Sequence, residues 1–264
     1  LKTAGLPISG LAVFYAIMID ILKTYLQNNQ HSTFNLKAIL FDMDGVLYDS
    51  MPAHADSWQK TMKEFGYTST NPAEFYLHEG RLGHATINLI TEREFGREAT
   101  EKEMKEIYAR KTELFREYNS GATIPGAKEV LAFVKGKELI PVLVTGSGQP
   151  SLLDRLDIDF HGIFTPETMV TAFDVVNGKP DPEPFLQGLK KGGDLQPHQA
   201  LVIENAPLGI QAAVAAGIFT IAVNTGPLPD SILLDAGASA VFDSMRTLLA
   251  ELPKIVHLAE TTVI

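Results

Sequence analysis

The chain has 264 residues, enough for one sizeable core and a smaller accessory domain, with 45% hydrophobic and 20% charged residues as in an ordinary globular protein. Its formal net charge of −10 is spread along the chain and argues against nucleic acid or an anionic membrane as a partner. The absence of cysteine excludes disulfides, thiolate metal sites and thiol nucleophiles, and a cytoplasmic location is the expectation.

The opening residues differ from the rest. Leu11 to Ile19 is apolar but is interrupted by Asp20 and Lys23, well short of the roughly 20 apolar residues that span a bilayer. No small-x-small cleavage pattern follows, and Gln27-Asn-Asn-Gln30 reads as a polar linker. Residues 1–35 are therefore expected to lie outside the fold and to take no part in chemistry, a short amphipathic surface helix being the alternative.

From Leu36 a regular alternation begins. Lys37 to Phe41 is an apolar run ending in Asp42-Met-Asp44-Gly45 and reads as a buried strand with carboxylates at its C-terminal end. The stretch after it is too long for a simple crossover and carries helical signals of its own. Ser50 and Pro52 start a helix with Ala55, Trp58, Met62 and Phe65 on its apolar face, stopped at Gly66. Thr100 and Glu103 form a capping box ahead of Met104, Ile107, Leu114 and Phe115. Residues 51–121 are thus read as a small helical cap inserted through crossings near Asp49 and near Gly121 to Gly126.

Three further strands follow: Leu139 to Val144, ending in Thr145-Gly146; Ala200 to Ile203, ending in Glu204-Asn205; and Phe219 to Val223, ending in Asn224-Thr-Gly. Helical patterns separate them at Ala127 to Val134, Pro182 to Lys191 and Pro207 to Ala216. The alternation predicts an α/β fold, a Rossmann-like doubly wound parallel sheet formed by residues 36–50 and 122–250. In such sheets ligands bind beyond the carboxyl ends of the strands, where several strands here end in polar residues.

Those strand ends carry the candidate chemistry. Asp42 is placed as an oxygen nucleophile. Asp44, two residues on, is placed to protonate a leaving group and then to activate water, and Gly45 permits a tight turn. Each of the later residues also has a structural reading: Thr145 as a turn residue, Lys179 as a surface lysine, Glu204 and Asn205 as caps of the next helix.

Taken together, Phe41-Asp-Met-Asp-Gly-Val-Leu-Tyr-Asp-Ser50, Val144-Thr-Gly146, Gly178-Lys-Pro-Asp-Pro-Glu183 and Val202-Ile-Glu-Asn-Ala-Pro-Leu-Gly209 resemble, in order, the four signatures of the haloacid dehalogenase superfamily, in its β-phosphoglucomutase-like branch. The match runs from Leu36 to about Met245. The resemblance implies a phosphohydrolase working through a phosphorylated Asp42, with Asp44 as acid and base. It implies that Thr145 and Gly146 hold the transferring phosphoryl and that Lys179 neutralises charge. It also implies Mg²⁺ as cofactor, held by Asp42, Asp44 and Asn205, a hard-oxygen set that suits this ion.

Two departures bear on substrate. Asn205 stands where the fourth signature usually carries Asp, and Glu79 stands near the place of a substrate-facing lysine in the mutases. Glu79 is read as a further metal ligand and Arg81 as a bidentate holder of a distal phosphate; the alternative is a surface pair between the two. The combination resembles the inorganic pyrophosphatases of the branch, so pyrophosphate is the expected substrate. The alternatives are a β-phosphoglucomutase or small sugar-phosphate phosphatase and, more remotely, a non-catalytic phosphate-binding regulator, against which the intact Asp42, Asp44, Thr145 and Lys179 argue. The expected partner is a small anionic phosphate, with no nucleic acid, membrane or obligate protein partner. His54, just past Asp49 and Ser50, is a candidate for closing the cap, and His84 is given no role.

Overall fold

The computed structural model describes residues 8–148 and 150–264. Its centre is a six-stranded parallel sheet: β1 (Ala38–Phe41), β2 (Ile140–Val144), β3 (Met169–Val170), β4 (Ala200–Glu204), β5 (Phe219–Val223) and β6 (Ala240–Phe242). The strand order is β3-β2-β1-β4-β5-β6, the doubly wound α/β arrangement expected from the alternation. Strands β1, β4 and β5 are buried along their whole length, which is why they read as unbroken apolar runs rather than alternating ones.

The two faces of the sheet are nevertheless separate. Ile39, Phe41, Leu143, Leu201, Ile203 and Phe219 pack into one apolar cluster, and Ala38, Leu40, Val142, Val144 and Val202 into another, with the period of two of a strand.

The helices, in chain order, are α1 (Ile8–Asn28), α2 (Met51–Glu64), α3 (Glu74–Leu77), α4 (Gly83–Phe95), α5 (Glu101–Tyr118), α6 (Ala127–Gly136), α7 (Pro150–Asp159), α8 (Glu183–Lys191), α9 (Pro207–Ala215), α10 (Asp230–Asp235) and α11 (Met245–Thr261). Helices α2 to α5 have an apolar cluster of their own, built from Ala55, Trp58, Met62, Phe75, Ile87, Ile90 and Ile107, with Trp58 stacked on Phe75. Helix α5 begins with the capping box read from Thr100 and Glu103. Phe65 departs from expectation: it is partly exposed at the C-cap of α2, because the helix stops before completing the turn that would bury it.

The two chain crossings between sheet and cap run side by side. Asp49 N donates to the Ala122 carbonyl (2.9 Å), Ile124 N donates to the Leu47 carbonyl (2.8 Å), and Tyr48 bridges Thr123.

The N-terminal expectation is corrected. Residues 8–28 form a helix whose Met18, Leu22 and Leu26 are fully buried in the main core. Tyr25 donates its hydroxyl to the Gly217 carbonyl (2.8 Å) and packs edge-on against Phe219. The C-terminal boundary at 250 is also too early. Helix α11 runs to Thr261, burying Ile255, Val256, Leu258 and Ala259, and Ile264 N donates to the Ser32 carbonyl beside the Thr33–Val263 bridge. The two ends of the chain thus close one layer of the core together. No helix among the described residues is long and apolar enough to cross a membrane.

Candidate active site

The carboxyl ends of β1, β2 and β4 converge on Lys179. Its ammonium is fully buried and uses all three N–H directions: to Asp42 Oδ1 (2.6 Å), to Glu204 Oε1 (2.6 Å) and to the Val144 carbonyl (3.2 Å). Glu204 is fixed in turn, because its Oε2 accepts from the backbone N–H groups of Asn205 (2.7 Å) and Ala206 (2.8 Å). Gly209, in the first turn of α9, leaves the space that this carboxylate occupies. Lys179 is therefore no surface lysine, and Glu204 is an internal partner for it.

Asp44 is held differently. It accepts from the Ser50 hydroxyl (2.5 Å), and His54 Nε2 lies 3.3 Å from the same oxygen. On the far side of the imidazole, Lys111 Nζ donates to His54 Nδ1 at 2.8 Å. Burial opposes ionisation of Asp44, yet His54 and Ser50 together hold its carboxyl below the usual range. His54 is itself pushed down by burial and by the Lys111 charge. Lys111, buried against Trp58 and Phe115, is pushed down by burial to about 8. His54 and Lys111 belong to the cap and Asp44 to the sheet, so this chain of contacts joins the two. Sequence reading missed Lys111, which looks like any lysine on an amphipathic helix.

Asp42 is pushed up to about 8, chiefly by burial and by the Glu204 and Asp44 charges, against the pull of Lys179. Glu79 is raised as well, by burial and by the fields of Asp44, Asp42 and Glu204. Four carboxylates, Asp42, Asp44, Glu79 and Glu204, therefore stand against two ammonium groups, Lys179 and Lys111. Moreover, Asp42 Oδ2 and Asn205 Oδ1 are buried and have no hydrogen-bond partner among the described residues. A surplus of negative charge beside uncommitted hard oxygens is the environment that a divalent cation satisfies. The residues present fit magnesium, with Asp42 and Asn205 offering the oxygens.

The sequence-derived residues divide as follows. Asp42 bonds Lys179, Asn205 lies against Gly45 in the turn that carries Asp44, and Glu79 lines a cavity with Asp44. Thr145 sits at the end of β2, its N–H donating to the Val170 carbonyl and its hydroxyl accepting from Ser147 N, both at 2.9 Å. Gly146 meets the Gly80 carbonyl, which a Cβ there would approach to 2.6 Å. Gly80, at φ +82°, in turn rests on the side chain of Lys179.

Arg81 and Glu79 make no ion pair among the described residues. Both line a shared cavity, and Arg81 Nε is buried without a hydrogen-bond partner among the described residues. The surface-pair alternative is thus set aside. That cavity, about 40 Å³, is walled by Asp44, His54, Trp58, Glu79, Arg81, Tyr108 and Lys111, far below the ~300–1,000 Å³ usual for organic ligands. His84 is exposed in a cleft outside it.

Residues 36–217 match the family model of haloacid dehalogenase-like hydrolases. The chain is 32% identical over 211 residues to a phosphorylated carbohydrates phosphatase of Thermotoga maritima, covering 78% of this chain and 94% of that protein. It is 31% identical over 189 residues to hexitol phosphatase A of Escherichia coli, covering 71% and 83%. A solved Bacteroides vulgatus structure, provisionally named a β-phosphoglucomutase, superposes with a TM-score of 0.90 at 52% identity, covering 93% of this chain and 99% of that one. These relatives do not bear out the expected kinship with inorganic pyrophosphatases. By fold, signatures and relatives, the chain belongs to the haloacid dehalogenase-like hydrolases, in their β-phosphoglucomutase-like branch.

Proposed function

We propose that this hydrolase is a magnesium-dependent phosphatase of small phosphorylated carbohydrates, acting through a phosphorylated Asp42. The substrate class is supported by the activities named for the relatives at 31–32% identity. The chemistry rests on one observation: Lys179 commits one oxygen of Asp42 while the other, like Asn205 Oδ1, is buried without a hydrogen-bond partner among the described residues.

In the first step Asp42 attacks phosphorus as the bond to the leaving oxygen breaks, and that oxygen takes a proton. Asp44 is held as a carboxylate, so its proton comes along the chain of contacts: the Lys111 ammonium gives one to His54 Nδ1 as His54 Nε2 passes one to Asp44. In the second step water attacks phosphorus, the bond to Asp42 breaks, and Asp44 accepts the proton of the water. Lys179 and Thr145 stabilise charge on the phosphoryl oxygens. Bound magnesium supplies further charge neutralisation, and its holders are Asp42, Asp44, Asn205 and Glu79. A hexose phosphate requires the cap to lift, because the closed cavity is too small for it.

A second reading, hydrolysis of inorganic pyrophosphate, is favoured by one specific observation: a carboxylate, Glu79, lines that small cavity with Asp44, within the field of Asp44 and Asp42. The test is phosphate release with Mg²⁺ and with chelator over hexose, hexitol and 2-deoxyhexose phosphates and pyrophosphate, beside a coupled mutase assay. Hexose or hexitol phosphates as best substrates uphold the first reading; pyrophosphate as best substrate replaces it by the second. Glu79→Ala then locates the selectivity. Under the second reading it lowers pyrophosphate turnover roughly 30- to 1,000-fold, as for loss of a buried charge partner worth ~2–4 kcal/mol, while larger esters fall much less. Isomerisation of β-glucose 1-phosphate faster than any hydrolysis overturns both.

A further inference from the structure

Strand β4 lies between β1 and β5, so a side chain at the end of β5 reaches the turn after β1 only by crossing the end of β4. Thr225, two residues past β5, does this: its hydroxyl donates to the Gly45 carbonyl at 2.6 Å. Asn205, the residue that follows β4, lies against the same glycine. Gly45 sits at φ +83°, and the space a Cβ would fill is taken by the Asn205 carboxamide. Gly45 is held on its other side by donating to the Tyr48 carbonyl (2.7 Å).

The loop that carries Thr225 is itself rigidly tied. Asn224 N donates to the Phe242 carbonyl (2.7 Å), and the Asn224 side chain donates to the Leu228 carbonyl (2.8 Å) and to Asp230 Oδ1 (2.6 Å).

We infer that Thr225 is a positioning residue: its bond to Gly45 clamps the turn after Asp42 against the Asn205 carboxamide and so keeps Asn205 Oδ1 directed into the metal site. The need for such a clamp follows from the chemistry of asparagine. A carboxylate presents an oxygen whichever way its end group turns, whereas a carboxamide turned over presents an NH₂ that no cation accepts as a ligand. With Asn at this position, affinity depends on which way round the amide is held. Asn205 Oδ1 is buried without a partner among the described residues, so no other hydrogen bond sets its direction. The inference rests on the magnesium site proposed above.

The test is calorimetric titration of the metal-free protein with Mg²⁺, with kcat and KM measured beside it. Thr225→Val keeps the shape and removes the hydroxyl. It is expected to weaken Mg²⁺ binding roughly five- to thirtyfold and to lower kcat by a similar factor, the range set by one buried hydrogen bond. KM and the thermal midpoint stay near wild type. Thr225→Ser, which keeps the donor, restores both. Asn205→Asp removes the dependence, so Thr225→Val added to it leaves Mg²⁺ affinity where Asn205→Asp alone puts it.

Mg²⁺ affinity of Thr225→Val equal to wild type overturns the inference, and so does a Thr225→Ser variant as weak as Thr225→Val, or undiminished sensitivity in the Asn205→Asp background. Asn205→Ala separates the two levels of the argument. If it binds Mg²⁺ like wild type, the metal reading fails and this inference with it. If it loses Mg²⁺ while Thr225→Val keeps it, this inference fails alone.

Discussion

Lys179→Met is the most demanding test of the charge arrangement, because it keeps the length of the side chain and removes only the ammonium. In the native protein that ammonium bonds two buried carboxylates at 2.6 Å each. Removing it leaves Asp42 and Glu204 facing one another without a counter-charge, and breaking a buried pair in this way costs about 3–5 kcal/mol. The penalty should depend on pH with a definite sign. Asp42 is already raised to about 8 in the folded protein, against an unfolded value near ~3.9. A carboxyl raised on folding favours the folded state in acid, and that contribution is lost as pH climbs through the folded value. Loss of Lys179 raises Asp42 further, so the deficit due to Asp42 opens only where the native carboxyl ionises and that of the variant does not, and should be small near pH ~6 and larger near pH ~10. Urea unfolding followed by circular dichroism, in chelator, measures this at both ends of the range. A Lys179→Met protein within ~1 kcal/mol of wild type at both pH values would overturn this charge arrangement.

Asp42→Asn should keep the fold, since Lys179 retains Glu204, while phosphate release falls by at least ~10³-fold; phosphate-release kinetics beside circular dichroism check this. Lys111 is pushed down to about 8 by burial, so it loses its charge as pH rises past that value. kcat should then fall about tenfold, the loss of one charge-assisted contact to His54, and Lys111→Met should show the low kcat at every pH. Leu22→Ala in α1 should lower unfolding stability by about 2–5 kcal/mol, because Leu22 is fully buried; a change below ~0.5 kcal/mol, typical of surface sites, would return α1 to the surface.

The centre of the site was legible because a parallel α/β sheet delivers residues to one place by local rules. Each strand is an apolar run, each run ends in a polar residue, and the ends lie on one side by topology, so Asp42, Asp44, Thr145 and Asn205 are readable without knowing any distance. What the sequence left open were cases where the same local pattern serves two environments. The apolar stripe of α1, broken by Asp20 and Lys23, fits a surface helix as well as a buried one; contact with α11 and the return through Phe34 and Leu36 put Met18, Leu22 and Leu26 in the core. Lys111 sits in a helix rich in charge, and only the approach of His54, distant in sequence, makes it an internal cation. Glu79 and Arg81 are neighbours that read as a pair, yet Gly80 at φ +82° turns the chain between them against Lys179. Thr225 meets Gly45 across 180 residues. Patterns of period two and 3.6 encode which face of an element is apolar. Which element that face meets is settled by packing between distant segments, and it is this packing that turned a surface-type lysine, a turn threonine and an N-terminal helix into parts of the core and the site.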